Sequence, residues 1–250
     1  MRLIVVDDYL ALSREAARFV ARRLLAKPDL VLALPTGETP LGLYRDLTRL
    51  HREGLLDFSR ATAFNLDEFL GIPPDHPASF RSYMERHFWG QVNLRPEARH
   101  IPQSLPADPT EECQRYEALI QGAGGLDLTI LGLGRNGHIA FNEPGTPFER
   151  RTHVAELTEE TRADEAERFG GLGNVPKQAI TLGIRTLMNA REILLLVSGM
   201  EKAGILAQAL EGPVTPAVPA SVLQLHPNLT VLVDRAAALL WLSRDTPEEN

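Results

Sequence analysis

The chain has 250 residues, of which 44% are hydrophobic and 24% charged, and its formal net charge is −7. This composition is typical of a globular protein with one large α/β domain or two small ones, and the acidic excess argues against a general binder of nucleic acid or acidic membranes. The single cysteine, Cys113, excludes an internal disulfide and a metal site with several cysteines.

Short apolar runs alternate with segments of helical periodicity along the first half of the chain. Ser13, Thr39 and Ser79 are residue types that cap helices, and Pro40 suits the first helical position. The expected elements are strands at 3–6, 30–34 and 61–64, a short strand near Ile101, and helices that begin at Ser13, at Thr39 and Pro40, at Ser79 and at Thr110.

The second half continues the same alternation. The expected elements are strands at 128–133, 179–183, 193–197 and 229–233, and helices at 203–210 and 236–242. Because most of these strands are continuous apolar runs, the sequence predicts a mainly parallel sheet with helices on both faces. No linker divides the chain, so we expect one α/β domain over residues 1–250.

Residues 150–174 are polar and charged and end near the pair Gly170 and Gly171. A polar helical segment flanked by glycines is typical of a mobile active-site lid, although an ordinary surface helix fits equally.

No apolar run reaches the ~18 residues of a membrane span, and the N-terminus lacks the features of a signal peptide. We therefore expect a cytoplasmic protein.

Two strand–helix junctions are candidate anion sites. The strand at 30–34 leads through Thr36 and Gly37 into a helix, and a helix N-terminus offers free N–H groups to an anion. Phosphate binding and a plain strand–helix turn fit this junction equally well. Lys202 follows the strand at 193–197 and is expected in the first turn of the next helix, where lysine is unfavourable unless an anion is bound.

Carboxylates and a histidine follow two other strands. Asp67 and Glu68 are adjacent, and crowding of like charges would raise one pKa, although an exposed helix cap is the simpler interpretation. His138 lies between Asn136 and Glu143 at the end of the strand at 128–133, where open α/β sheets bind ligands. His138 and Glu143 can act together only if the chain turns between them, which the run at 142–145 allows.

The glycines at 132, 134 and 137 match the dinucleotide-binding pattern GxGxxG. The residues that follow do not begin an amphipathic helix, and no acidic residue near 155 clearly ends a second strand. The pattern is therefore weak evidence for a nucleotide site. His138 alone is more often a hydrogen-bonded loop residue than a catalyst.

Four segments taken together resemble glucosamine-6-phosphate deaminases. The resemblance covers nearly the whole chain and is carried by LPTGETP at 34–40, FNLDEF at 64–69, GLGRNGHIAFNEP at 132–144 and SGMEK at 198–202. It implies a Rossmann-like sheet shared with phosphosugar isomerases and 6-phosphogluconolactonases. It also implies conversion of glucosamine 6-phosphate and water to fructose 6-phosphate and ammonia without a redox cofactor or metal.

The resemblance also implies roles for individual residues. Asp67 matches the base that moves a proton between C2 and C1, and His138 matches the residue that opens the sugar ring, with Glu143 and Asn136 as its partners. The residues that match the phosphate-binding positions are Thr36, Gly37, Lys202 and the lid arginine Arg168. Asn136 departs from the aspartate of many members, and 163–168 is one residue out of register with the family's lid.

Three functional alternatives remain. The resemblance favours an amino-sugar phosphate deaminase, whereas a 6-phosphogluconolactonase-type hydrolase and a sugar-phosphate sensor without turnover are the competing hypotheses. A small-molecule substrate is the expected partner, with no nucleic acid and no membrane. The sequence does not determine the oligomeric state, and a homo-oligomer is one of the states that it allows.

Overall fold

In the computed structural model of the protein, residues 1–242 are described. They form ten strands, and in chain order these are β1 (Arg2–Val6), β2 (Val31–Leu34), β3 (Thr62–Asn65), β4 (Asp67–Phe69), β5 (Arg99–His100), β6 (Leu128–Gly132), β7 (His153–Glu156), β8 (Gln178–Thr181), β9 (Glu192–Val197) and β10 (Leu229–Asp234). Most begin within a residue or two of the apolar runs that predicted them.

The helices of the same residues alternate with the strands. They are α1 (Tyr9–Ala26), α2 (Leu41–Arg52), α3 (Phe80–His87), α4 (Pro109–Gly122), α5 (Glu159–Glu165), α6 (Ile184–Met188), α7 (Ala203–Glu211) and α8 (Leu239–Leu242). Short 3₁₀ turns complete the connections, among them Met200–Lys202 and Pro219–Leu225.

Seven strands form one parallel sheet in the order β1-β10-β9-β6-β2-β3-β5. Two hydrophobic cores cover its faces, because successive strand residues point to opposite sides. Leu32 and Ile130 lie in the core beneath α1, α2 and α3, whereas Ala33 and Leu131 lie in the core beneath α4, α6 and α7. The predicted α/β class, with a mainly parallel sheet and helices on both faces, is confirmed.

A second, antiparallel sheet in the order β4-β8-β7 was not predicted. The segment at 179–183 was expected as a strand but not in a separate sheet, and the strands Asp67–Phe69 and His153–Glu156 were missed. Both missed strands are short and carry charged or polar residues, so they lack the apolar signal of a buried strand. This sheet joins Asp67 to the start of the predicted lid.

Three predicted helix starts are wrong in detail. Asp8, not Ser13, caps α1, since its carboxylate accepts the N–H of Ala11, and Ser13 is buried inside the helix. Pro40 precedes α2 without a side-chain cap, and the predicted terminal helix at 236–242 is helical only from Leu239. By contrast, Ser79 caps α3 as expected.

The predicted domain bounds include residues 243–250, which lie outside the described part of the chain, and the single domain stays a prediction.

The parallel strands place the candidate residues at one edge of the sheet. β2, β3, β6 and β9 are neighbours or near neighbours, and each is followed at its carboxyl end by one of the four segments singled out in the sequence. In open α/β sheets, ligands bind at this edge.

Candidate active site

The turn after β2 has the backbone geometry of a ligand-binding loop. Gly37 has φ of 94°, in the left-handed region that favours glycine, and nothing lies within 4 Å of the position a Cβ would take. The Tyr83 hydroxyl donates a hydrogen bond of 2.6 Å to the Gly37 carbonyl. This tyrosine of α3 was not predicted as a site residue. Thr36 is half-buried, and Glu38 is exposed.

Lys202 lies at the end of the 3₁₀ turn that precedes α7, not in the first turn of the helix as expected. Its ammonium donates a 2.8 Å hydrogen bond to the Leu133 carbonyl, which holds it at the end of β6. Burial lowers the pKa of Lys202, with Arg135 acting in the same direction. Among residues 1–242 no hydrogen bond or ion pair joins Lys202 to Thr36, Gly37 or Arg168.

Arg168 follows α5 and faces two aromatic rings of α3. Its guanidinium carbon lies 5.2 Å from the Phe80 ring centroid and 5.4 Å from that of Tyr83, and its Nε lies 3.4 Å from a Glu165 carboxylate oxygen. Its Nη1 atom is buried and has no hydrogen-bond partner within residues 1–242. A buried guanidinium nitrogen with an unused donor beside Tyr83, which contacts Gly37, suits an anionic ligand.

Asp67 and Glu68 are both buried, but their surroundings differ. The Glu68 carboxylate accepts the backbone N–H groups of Phe69, Phe80 and Arg81, at 2.9, 3.0 and 2.9 Å, and so holds the start of α3. Within the described residues, 1–242, no backbone N–H group donates to the Asp67 carboxylate. Burial raises its pKa well above the usual range, Glu68 and Glu165 raise it further, and Arg168 opposes them. Glu68 is therefore structural, whereas Asp67 has the environment of a tuned base.

His138, Glu143 and Asn136 form one hydrogen-bonded cluster. His138 Nδ1 lies 3.7 Å from Glu143 Oε2, and Asn136 Nδ2 donates to the same oxygen at 2.8 Å. Burial alone would raise the pKa of Glu143, but interactions with His138, Thr161 and Asn136 lower it to about 2. Asn136 Oδ1 accepts the backbone N–H of His138, at 3.1 Å, rather than a proton of the imidazole. The structure therefore brings these three predicted residues together.

The loop around His138 explains two features of the sequence. A Cβ on Gly134 would lie 2.4 Å from atoms of the His138 ring, so glycine is required for this close approach. The chain reverses between His138 and Glu143 at 139–142, where the Asn142 N–H donates to the Ile139 carbonyl. Ala140 has φ of 50° in this reversal, a left-handed conformation that is uncommon for alanine. A second turn follows at 143–146, in the run where a turn was expected, and there the Thr146 N–H donates to the Glu143 carbonyl.

No helix begins in 133–150, so the glycine pattern lacks the helix that a dinucleotide site requires. The glycines instead shape the loop that carries His138. The weak nucleotide interpretation of this pattern is not supported.

The predicted lid contributes residues that the sequence did not single out. Thr158 caps α5, and its N–H and hydroxyl each lie 3.3 Å from Glu143 Oε1. The Thr161 hydroxyl lies 3.5 Å from His138 Nδ1. Burial raises the pKa of Glu165 at the end of α5, and the charges of Arg168 and His138 oppose this effect. The Glu165 carboxylate in turn raises the pKa of Asp67. Sequence spacing alone could not show these contacts, because they join segments that are distant in the chain.

Across residues 1–242, no group of three or more histidine, cysteine, aspartate or glutamate side chains is placed to hold a metal ion. No helix of these residues is both long and apolar enough to span a bilayer.

Several known proteins resemble this chain over nearly its whole length. A family model described as glucosamine-6-phosphate isomerases/6-phosphogluconolactonase matches residues 8–232. A glucosamine-6-phosphate deaminase of Thermoanaerobacter pseudethanolicus is 43% identical over 248 residues, which are 99% of this chain and 98% of that protein. The solved structure of a monomeric glucosamine-6-phosphate deaminase is 45% identical, with a TM-score of 0.94 over 96% of this chain and 100% of that chain.

The lactonase branch is more distant. A 6-phosphogluconolactonase from Trypanosoma brucei has a TM-score of 0.75 over 96% of this chain and 98% of that chain, but only 22% identity, so this likeness shows the fold alone. The family match over most of the chain and the full-length relatives lead to one conclusion: the chain belongs to the glucosamine-6-phosphate isomerase/6-phosphogluconolactonase family.

Proposed function

We propose that the protein is a glucosamine-6-phosphate deaminase, which converts glucosamine 6-phosphate and water to fructose 6-phosphate and ammonia. The observation that carries this proposal is the placement of a carboxyl group with a raised pKa and of a histidine–carboxylate pair at the same edge of the sheet. Asp67 is a buried carboxyl group whose pKa is raised, and His138 is held beside a carboxylate whose pKa is about 2. Relatives more than 40% identical over nearly the full chain carry the same name.

The substrate phosphate is proposed to bind between the Thr36–Gly37 turn, Lys202 and Arg168. The left-handed Gly37 and the unused Nη1 donor of Arg168 support this role. A phosphate held away from the reacting carbons fixes the orientation of the sugar, so that binding energy contributes to the rate.

Ring opening is assigned to His138. This step moves the proton of the O1 hydroxyl to the ring oxygen as the bond between C1 and the ring oxygen breaks. A histidine can carry that proton, and the ionised Glu143 beside Nδ1 would stabilise the imidazolium that forms. Asn136 supports the step indirectly, because it fixes Glu143 and the backbone of His138.

Proton transfer from C2 to C1 of the open sugar is assigned to Asp67. A base works best when its pKa is near the working pH, and burial raises the pKa of Asp67 in that direction. Asp67 takes the proton from C2 while O1 takes up a proton, which gives an enolamine. Return of the first proton from Asp67 to C1 then leaves an iminium ion at C2. Addition of water at C2 then releases ammonia and leaves the ketone of fructose 6-phosphate.

Residues 150–174 are proposed as a lid over this site. The segment contains β7 and α5, and its contacts with the site run through Thr158, Thr161, Glu165 and Arg168. Closing such a segment would exclude bulk water while the imine forms.

Location and assembly complete the proposal. A phosphorylated substrate and a single cysteine both support a cytoplasmic protein. A homo-oligomer remains a hypothesis, and the similar solved structure is of a monomeric enzyme. Light scattering coupled to gel filtration distinguishes the two states.

Ammonia release from a panel of sugar phosphates tests the function. We expect ammonia and fructose 6-phosphate in equal amounts from glucosamine 6-phosphate, and no hydrolysis of 6-phosphogluconolactone. Lactone hydrolysis without ammonia would support the lactonase hypothesis, and binding of glucosamine 6-phosphate without any product would support the sensor.

A further inference from the structure

A basic cavity lies between α2 and α3, outside the proposed active site. Its volume is about 520 Å³, and none of the predicted catalytic or phosphate-binding residues lines it. The titratable side chains that line it are four arginines, one histidine and one carboxylate: Arg45, Arg49, Arg52, Arg86, His87 and Glu53.

Most of this positive charge is not neutralised. Arg49 pairs with Asp46 and Glu53, at 3.4 and 3.0 Å. Arg52 donates to the neutral Gln91 side chain, and Arg86 donates to a backbone carbonyl. Within residues 1–242, neither of them nor Arg45 has a carboxylate within ion-pair distance. Three exposed guanidinium groups without a carboxylate partner thus surround one cavity, although the net charge of the chain is −7.

The buried residue Thr48 also lines the cavity. Thr48 is 6% exposed, and its Oγ1 atom has no hydrogen-bond partner among the described residues. A buried polar group without a partner loses its hydration without compensation, and such groups are rare in folded proteins. A small rotation of the Thr48 side chain would turn this hydroxyl towards an anion in the cavity, which would then accept the hydrogen bond that Thr48 lacks.

We propose that this cavity is a second anion site, which binds a small phosphate-bearing ligand free in solution. Planar guanidinium groups match the oxygens of phosphate, often with two parallel hydrogen bonds. The volume suits a small molecule, and the acidic surface of the rest of the chain disfavours an extended polyanion such as nucleic acid.

The cavity is separated from the proposed phosphate turn by a single side chain. The His87 ring lies 4.6 Å from the ring of Tyr83, and Tyr83 donates to the Gly37 carbonyl. Leu41 lines the cavity, and its N–H bonds to the Glu38 carbonyl of the same turn. A ligand in the cavity would therefore contact elements that also shape the active site.

Equilibrium dialysis against radiolabelled inorganic phosphate tests the proposal. The test variant is Arg45→Gln/Arg86→Gln. The matched control is Arg14→Gln/Arg22→Gln, which removes the same charge from exposed positions of α1. Thr48→Val removes only the unpartnered hydroxyl and keeps both the side-chain shape and the charge.

The Lys202→Ala protein, whose active site is weakened, should still bind phosphate at the cavity, and addition of the Arg14→Gln/Arg22→Gln control change to it should leave this binding unchanged. When combined with Lys202→Ala, the Arg45→Gln/Arg86→Gln change should weaken that remaining binding by roughly tenfold or more, and Thr48→Val by a smaller factor. Equal binding by the cavity variant and the control would overturn the proposal. Loss of all phosphate binding in Lys202→Ala alone would overturn it as well, and neither result depends on the deaminase assignment.

Discussion

Glu143 offers a quantitative test of the cluster around His138. Its pKa is lowered from 4.5 to about 2 in the folded protein, against the effect of burial, by interactions with His138, Thr161 and Asn136. Because the unfolded chain takes up this proton first, acid shifts the equilibrium towards unfolding as the pH falls from about 4.5 towards about 2. The full effect corresponds to about 3 kcal/mol at neutral pH.

The effect can be isolated with the Glu143→Gln variant. Between about pH 7 and about pH 3.5, linkage predicts that the wild type loses roughly 1.4 kcal/mol more unfolding free energy than the variant. Urea unfolding at several pH values measures this difference. Glu149→Gln, which changes an exposed carboxylate, is the control and should follow the wild type. If the wild type and Glu143→Gln lost the same unfolding free energy over this pH range, the described cluster would be refuted. In that case His138, Thr161 and Asn136 would not lower the pKa of Glu143.

Three further variants test other parts of the site. Lys202→Ala should raise KM for glucosamine 6-phosphate by roughly 10-fold to 100-fold, since a charge-assisted contact is worth about 1.5–3 kcal/mol, whereas Lys177→Ala should leave KM unchanged. Thr161→Val removes a hydroxyl next to His138 and Glu143, so steady-state kinetics should show a lower kcat, and Thr161→Ser should retain most of it. Glu165→Gln removes a charge that raises the pKa of Asp67, so the acidic limb of the kcat/KM profile should move to lower pH; an unmoved limb would contradict the contact.

The sequence predicted the main sheet well because buried parallel strands are short apolar runs, and nearly all of them were found. The small antiparallel sheet was missed because β4 and β7 carry charged or polar residues. Their strand pairing depends on tertiary contacts with β8 and not on local pattern.

The candidate site was predicted where motifs are local and missed where contacts are distant. His138, Asn136 and Glu143 lie within eight residues, and the structure brings them together. Tyr83 reaches Gly37 across 46 positions, and Thr161 reaches His138 across 23, so no local spacing could indicate either contact. The family resemblance favoured Asp67 over Glu68 as the base, but the physical reason required the structure. The backbone N–H groups around Glu68 hold that carboxylate at the start of α3.

Loss of Asp67 should not destabilise the fold, which makes this residue suitable for a decisive experiment. Because the pKa of Asp67 is raised in the folded protein, this carboxyl group stays protonated there at pH values where it has already ionised in the unfolded chain. The free energy of unfolding therefore falls as the pH rises above about 4. Asp67→Asn removes this effect. We therefore expect the variant to be at least as stable as the wild type at neutral pH in urea unfolding.

Hydrogen exchange at C1 of fructose 6-phosphate, measured by NMR in deuterated water with ammonia present, tests the central claim most directly. The wild type should incorporate deuterium at C1 as it runs the isomerisation in reverse, and Asp67→Asn should be slower by about 10²–10⁴-fold, as for loss of a general base. Exchange by a folded Asp67→Asn protein at the wild-type rate would contradict the assignment of Asp67 as the base.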